Sequence, residues 1–230
     1  MARDLVLYAL HLPVGGLDQL GRFTVQNSYD HISSHGADFI AIIAIDNKFS
    51  TVDGNFPKLY RDNIGYDFGS WNYGLTQVDL KEYEQVIFLN SSIVGPNNSD
   101  EVFWNYFLNT DVDFLAVTES DQIEKHYQSY LWKIQTKFAA SREFRDFMNK
   151  PLTENSRESA IQEKELRLRE LMQSMKISHK AIFPSGSVCY TNQNPSLDGW
   201  EKLLNSGFPY IKKAVIDEKP YLKAKFQLNI

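Results

Sequence analysis

Cysteine is nearly absent from this chain of 230 residues: Cys189 stands alone. A single thiol cannot close a disulfide within the chain, which fits a reducing compartment. It lies in Ser187-Val188-Cys189-Tyr190, which reads as a buried strand, so the thiol is expected in the core and not as a nucleophile. No apolar run reaches transmembrane length. Met1-Ala2-Arg3-Asp4 leads into a short apolar strand without a cleavage signature, so no signal peptide is expected. Lacking a secretory signal, Asn90-Ser91-Ser92 and Asn97-Asn98-Ser99 are chance glycosylation sequons. An excess of basic residues is also missing. The net charge of −5 argues against a general nucleic-acid binder. HExxH, GxSxG, a Walker A loop, paired cysteines and GxGxxG are all absent. The common metalloprotease, hydrolase, P-loop and dinucleotide sites go with them, and no metal ligand set is read.

What remains is ample for a core, since 43% of the residues are hydrophobic and 23% charged. Leu5-Val6-Leu7-Tyr8-Ala9-Leu10 and Phe39 to Ile45 are continuous apolar runs, the pattern of strands buried on both faces. Val86 to Leu89 and Asp113 to Thr118 repeat it, and helical spacing over Leu17 to Ser34 separates the first two. Further helices are expected at Gly69–Leu80, Ser141–Met148, within Pro151–Lys176, and from Asn194 with Leu197, Trp200, Leu203 and Leu204 inward. The charges of the third are read as a solvated face. Tyr127 to Ile134, Ala181 to Phe183 and Val188 to Tyr190 read as strands. Alternating strands and helices point to one α/β domain over 1–230, its central sheet mixed, mostly parallel and flanked by helices.

Two stretches carry chemistry. Arg61 to Leu75 sets Asn63, Gly65, Asp67, Gly69 and Trp71 in a tight aromatic turn before a helix. Glycine there permits positive φ or close approach to a ligand, and a helix N-terminus offers free N–H groups to phosphate. The run Val86 to Leu89 ends abruptly in Asn90, Ser91 and Ser92, whose side chains can hydrogen-bond ribose or phosphate at the carboxyl edge of a sheet. An ordinary strand-ending turn would look similar. The first strand ends at His11 in a Pro-Gly-Gly loop, the generic opening of a nucleotide site. Acids at strand ends or loops are Asp46, Asp67, Glu119 and Asp121, and His126 sits at a strand boundary. Asp67, Asp121 and His126 are the candidate general bases.

Asn63-x-Gly65-x-Asp67-x-Gly69-x-Trp71, Phe88-Leu89-Asn90-Ser91-Ser92-Ile93-x-Gly95-Pro96 and His126-Tyr127-Gln128-Ser129-Tyr130 occur in this order. With the tail Asn194-Pro195-Ser196…Trp200…Gly207-Phe208-Pro209-Tyr210-Ile211-Lys212, they resemble the rhamnan synthesis protein F family of bacterial polysaccharide glycosyltransferases. The resemblance implies a GT-A-like fold, with a nucleotide-sugar-binding half over about 1–118 and an acceptor-binding half over about 119–230. It implies a nucleotide-sugar donor, with rhamnose or another deoxyhexose as the sugar. The acceptor would be a surface polysaccharide or its lipid-linked precursor, handled in the cytoplasm at the inner face of the membrane. Donor contacts are then expected from His11, Asn63, Gly65, Asp67, Gly69, Trp71, Asn90, Ser91 and Ser92. Acceptor contacts are expected from Gln128, Ser129 and Tyr130. The family pattern has Asn-Asp-Ser where this chain has Asn90-Ser91-Ser92, which leaves a divalent metal (Mn or Mg) open. It also has a glutamate near Tyr190 to Gln193, where this chain has none. A non-catalytic sugar- or nucleotide-binding module, or a scaffold for another transferase, is the alternative; a nucleotide-sugar hydrolase is a third.

Overall fold

A computed structural model describes residues 3–47, 50–97 and 101–226. Met1, Ala2 and the Asn98-Ser99 part of the second sequon lie outside them. In chain order the elements begin with β1 (Arg3–Leu12), α1 (Gln19–Ser34), β2 (Asp38–Ile45), β3 (Lys58–Asp62) and α2 (Tyr66–Thr76). Next come β4 (Tyr83–Asn90), β5 (Ile93–Val94), α3 (Glu101–Asn109), β6 (Phe114–Ser120), β7 (His126–Tyr127) and β8 (Leu131–Gln135). The short helix α4 (Thr136–Ala139) and α5 (Arg142–Asn149) precede α6 (Arg157–Ala160), a π turn (Ile161–Glu165) and α7 (Leu166–Ser174). The chain closes with β9 (His179–Phe183), α8 (Pro195–Asp198), α9 (Trp200–Asn205), β10 (Ile211–Lys212), α10 (Lys213–Glu218) and α11 (Leu222–Lys225).

Eight strands form one mixed sheet in the order β3-β2-β1-β4-β8-β6-β7, with β9 beside β6. Strands β1 to β4 run parallel to one another, and β8 runs antiparallel between β4 and β6. Along β1 the side chains alternate between two cores. Val6, Tyr8, Leu10 and Leu12 pack on one face, Leu5, Leu7 and Ala9 on the other. That two-sided burial is why β1 and β2 read as unbroken apolar runs. Strands β7, β8 and β9 join the sheet begun by β1 to β4, so residues from both ends of the chain share one core. No described helix is long and apolar enough to cross a membrane.

Several expectations need correction. Helix α2 starts at Tyr66 and ends at Thr76, earlier at both ends than Gly69–Leu80. Gly65 stops the preceding loop at φ +81° and serves as its cap, so Asp67 lies in the first turn and its carboxylate is released for other partners. Gly69 is needed because a Cβ there would strike the Ile64 carbonyl and the Arg61 guanidinium. Strand β3 went unread because it has no buried apolar residue to mark it. Helix α3 is not among the expected helices, although Phe103, Trp104 and Phe107 are buried at helical spacing. The expected strand Tyr127 to Ile134 breaks at Gln128–Tyr130, because β7 pairs with β6 alone whereas β8 bridges β4 and β6. Val188 to Tyr190 is bend and loop, not strand: Tyr190 is exposed and Cys189 only half-buried, packed at the margin of the core. The last helix breaks at Gly199 into α8 and α9, which turns Leu197 outward.

Trp71 on α2 sits at the centre of one core. Its ring meets Phe68, Phe88 and Trp132, each at 5.4 Å between centroids, and its indole N–H donates to the Leu89 carbonyl at 3.3 Å. Trp71→Phe leaves a void and an unmade hydrogen bond. A loss of about 1–3 kcal/mol is expected, short of the full Trp→Ala range. Urea denaturation should show a lowered midpoint with an unchanged m value; an unchanged midpoint would contradict this packing.

Candidate active site

The parallel strands β1 to β4 end at one edge of the sheet, and ligands of α/β sheets bind at such edges. Asp46, just past β2, takes a hydrogen bond from Asn63 Nδ2 at 2.9 Å and pairs with His11 Nε2 at 2.9 Å. The Asn63 and His11 bonds hold its carboxyl below the ordinary range. His11 and Asn63 border a cavity of about 410 Å³, together with Tyr66, Asp67, Ser70 and Asn155. Asn155 fixes this wall: it accepts the Gly65 N–H at 2.7 Å and donates to the Asn63 carbonyl at 2.9 Å.

A larger cavity of about 480 Å³ adjoins it, sharing Tyr66 and Asp67. Asn90 at the end of β4 organises its floor. Its amide donates to Asp67 Oδ2 at 2.7 Å and to the Ser129 carbonyl at 3.3 Å, while its oxygen accepts the Ser92 N–H at 3.1 Å and hydroxyl at 2.5 Å. The β5–β10 ladder, with Lys212 opposite Ile93, delivers Lys212 from the far end of the chain. Its ammonium donates to Ser92 Oγ at 2.8 Å and lies 4.6 Å above the centre of the Tyr130 ring. The opposite wall of this cavity is made by the break between β7 and β8 and by the π turn. Glu165 Oε1 accepts the Ser129 N–H at 2.8 Å. Gln128 accepts the Thr118 hydroxyl at 2.8 Å and donates to Asn194 at 2.9 Å. His126 Nδ1 stands 2.7 Å from the Glu124 carbonyl, which can only accept, so that nitrogen carries a proton.

Burial governs the charges here. Asp67 keeps part of its surface open to the cavity, yet protein surrounds it enough to push its pKa up to about 6. Burial is the largest cause, opposed by Asn90, Lys212 and His11 and reinforced by Glu165. Burial likewise raises Glu165 above the usual carboxylate range, with His126, the Ser129 amide and Lys212 pulling the other way. Lys212 is pulled down to about 8 by desolvation, against the attraction of Glu165 and Asp67. Asp67 and Lys212 therefore change protonation within reach of neutral pH, and burial pushes Glu165 towards its neutral form.

Of the residues read from the sequence, Asp67, Asn90, Ser92, His126, Gln128, Ser129 and Tyr130 come together around the large cavity. His11 and Asn63 meet in the adjoining one. The others do not contribute side chains to either. Trp71 is fully buried and packs the core, so it cannot touch a donor. Gly65 and Gly69 shape the turn and line a separate hollow of about 390 Å³ on the other side of α2. Ser91 lies outside both walls and donates its N–H to the Ala9 carbonyl at 3.0 Å, continuing the sheet. Asp121 ties down a loop through bonds from Ser185 and the Asn192 N–H, which lower its pKa, and it borders neither cavity. Tyr130 presents only its ring, since its hydroxyl bonds Thr118 at 2.8 Å. Sequence reading missed Glu165, Lys212, Arg157 and Asn194 as cavity residues. Glu165 was hidden among the charges of a helix read as solvated. The one available signal was the break in apolar period around Ile161, Lys164 and Leu166.

Among the described residues no group of three or more His, Cys, Asp or Glu side chains is placed to hold a metal ion. Hard cations prefer several carboxylate oxygens, and the end of β4 offers an amide and hydroxyls.

Solved structures share this fold. A protein from Desulfovibrio desulfuricans G20, assigned as a nucleotide-diphospho-sugar transferase, superposes with a TM-score of 0.52 at 14% identity, covering 98% of this chain and 99% of its own. A glycosyltransferase involved in glycosylation of the major capsid of PBCV-1 gives 0.55 at 8% identity, over 92% of this chain and 94% of the other. The architecture is thus GT-A-like. The virulence protein VirA of Vibrio anguillarum is 25% identical over 197 residues, an alignment that takes in 70% of this chain. The chain spans 62% of the length of that curated relative. The family model for rhamnan synthesis protein F matches residues 46–229, from the carboxyl end of β2 past the strand that carries Lys212, and the chain belongs to that family.

Proposed function

We propose that this chain is a glycosyltransferase that moves a sugar from a nucleoside-diphosphate donor to a hydroxyl of a saccharide acceptor. The observation that carries the reading is the large cavity at the strand edge, where Lys212 stands in the fields of Asp67 and Glu165. The nucleoside lies in the smaller cavity beside His11, Asp46 and Asn63, and the diphosphate passes Asp67 to reach Lys212 and Arg157. The acceptor enters over His126, Gln128 and Ser129. Family membership supports rhamnose or a related deoxyhexose as the sugar and a surface polysaccharide or its lipid-linked precursor as the acceptor. A lipid-linked acceptor would bring the chain to the cytoplasmic face of the membrane. The non-catalytic alternative drew on missing carboxylates at the strand end; Asp67 and Glu165 supply two from other elements. Catalysis rests on positioning and on neutralising the leaving diphosphate. A panel of UDP-glucose, UDP-galactose, GDP-mannose and dTDP-rhamnose, scored for slow release of nucleoside diphosphate, tests the reading. No release from any donor counts against it.

Asp67→Asn keeps an acceptor oxygen for Asn90 but cannot ionise. The role of Asp67 is to position the donor between Asn90 and Lys212, and without the charge turnover is expected to fall by about 100-fold or more. Stability should move the other way. A carboxyl raised from 3.8 to about 6 binds more protons folded than unfolded, so its contribution is greatest below pH 3.8 and is lost as pH rises through about 6. At pH 7.5 the variant should therefore melt at or above the wild-type temperature. Full activity, or a marked fall in melting temperature, would exclude this role.

Cations in place of a metal lead to a second expectation. Activity should persist in excess chelator, and in Lys212→Met the rise in melting temperature caused by a saturating nucleoside diphosphate should shrink, since only binding to the folded state produces it. Strict dependence on manganese, with an undiminished nucleotide shift in the variant, would assign the diphosphate to a metal.

A further inference from the structure

Transfer to a hydroxyl must dispose of the hydroxyl proton, and the carboxyls and imidazole that border the large cavity are Asp67, His126, Glu165 and the exposed Asp217. Asp67 is held by Asn90 at the wall shared with the His11 cavity, the donor side. His126 gives its Nδ1 proton to the Glu124 carbonyl, which leaves Nε2 as the acceptor nitrogen and makes His126 the rival base. Resting on the transferase reading above, we infer that Glu165 is the base that takes the acceptor's proton, from a seat built by the π turn and the Ser129 amide.

The seat is built rather than incidental. Arg157, Ala160, Ile161 and Glu165 line the cavity from one side of the helical segment. Directly after it, Leu166, Leu168 and Met172 turn into the core. The wide turn Ile161–Glu165 makes that change of face, and single π turns recur at functional sites. It is anchored beside Glu165 by Lys164, a buried residue whose ammonium donates to the carbonyls of Phe147, Met148 and Lys150 at the end of α5. Rotation of the turn would strand that charge. Glu165 itself is poorly explained by stability. A carboxylate drawn out of water, with the Ser129 N–H and hydroxyl as its donors, costs more than an apolar side chain there. Ser129 belongs to the break between β7 and β8 that faces the acceptor, so the same bond sets the carboxylate beside the incoming hydroxyl. Burial raises its basicity, while His126, Lys212 and the Ser129 amide keep it ionisable.

In the step, the acceptor oxygen bonds to the anomeric carbon as its proton passes to Glu165. The bond from that carbon to the phosphate oxygen breaks, and its electron pair leaves with the nucleoside diphosphate towards Lys212. One displacement inverts the anomeric configuration.

The test uses whichever donor of the panel the wild-type chain hydrolyses fastest, with water as acceptor. Glu165→Gln and Glu165→Ala should release nucleoside diphosphate about 100-fold more slowly or worse. The donor should still raise the melting temperature of each variant as it does for wild type. Azide attacks without a proton to lose, so azide should restore release in Glu165→Ala and yield a glycosyl azide of inverted configuration. A Glu165→Gln variant within a few-fold of wild type overturns the assignment, as does a slow Glu165→Ala that azide does not rescue. A wild-type chain that hydrolyses no donor removes the transferase reading and this role with it, whereas equal turnover of wild type and Glu165→Gln removes Glu165 alone.

Discussion

The side chain of Asn90 makes four hydrogen bonds, and the geometry of both cavities depends on them. An amide has two donor hydrogens and two acceptor lone-pair directions, and here each is used. Through them the end of β4 is tied to α2 by Asp67, to the β7–β8 break by the Ser129 carbonyl, and to its own continuation by Ser92. Ser92 in turn receives Lys212. Aspartate at position 90 could not donate to Asp67 and would set two carboxylates together. The amide is the residue type that satisfies all the neighbours at once.

Around this hub the protein accepts an unfavourable distribution of charge. Asp67, Glu165 and Lys212 are each pushed by desolvation towards their neutral forms, and the attraction of Lys212 for the two carboxyls only partly offsets the push. Buried ion pairs rarely add stability over apolar packing, so such a cluster marks a place where function has outweighed it. The contrast with Lys133 is instructive. That lysine is also buried and pulled down to about 8 by desolvation, but it donates to Gln85, Leu108 O and Thr110 O and borders neither cavity of the site, so its work is to join α3 to the sheet.

Elements with a strong local signature were legible in the sequence. The runs of β1, β2 and β4 declare themselves because both faces are buried, and Asn90 and Asp67 stand out because polar residues end or interrupt such runs. Elements with mixed burial were not. Strand β3 has no buried residue, and the π turn lies in a helix whose charges look solvated until the tertiary fold wraps one side of it. Trp71 shows the opposite error. An aromatic among glycines and polar residues looks like a ligand platform, but α2 starts early enough to rotate it onto Phe88 and Trp132.

Local sequence determined the parallel α/β order and its strand edge, and it singled out His11 and Asn90, which end apolar runs, and Asn63 and Asp67, which stand among glycines ahead of a helix. Tertiary structure decided which carboxyls and cations share the site. Lys212 lies 120 residues beyond the Ser92 hydroxyl it meets. Glu165 lies 36 residues beyond the Ser129 amide it accepts. No periodicity links residues so far apart; a two-stranded ladder and one wide helical turn bring them together, and only then does burial shift their protonation.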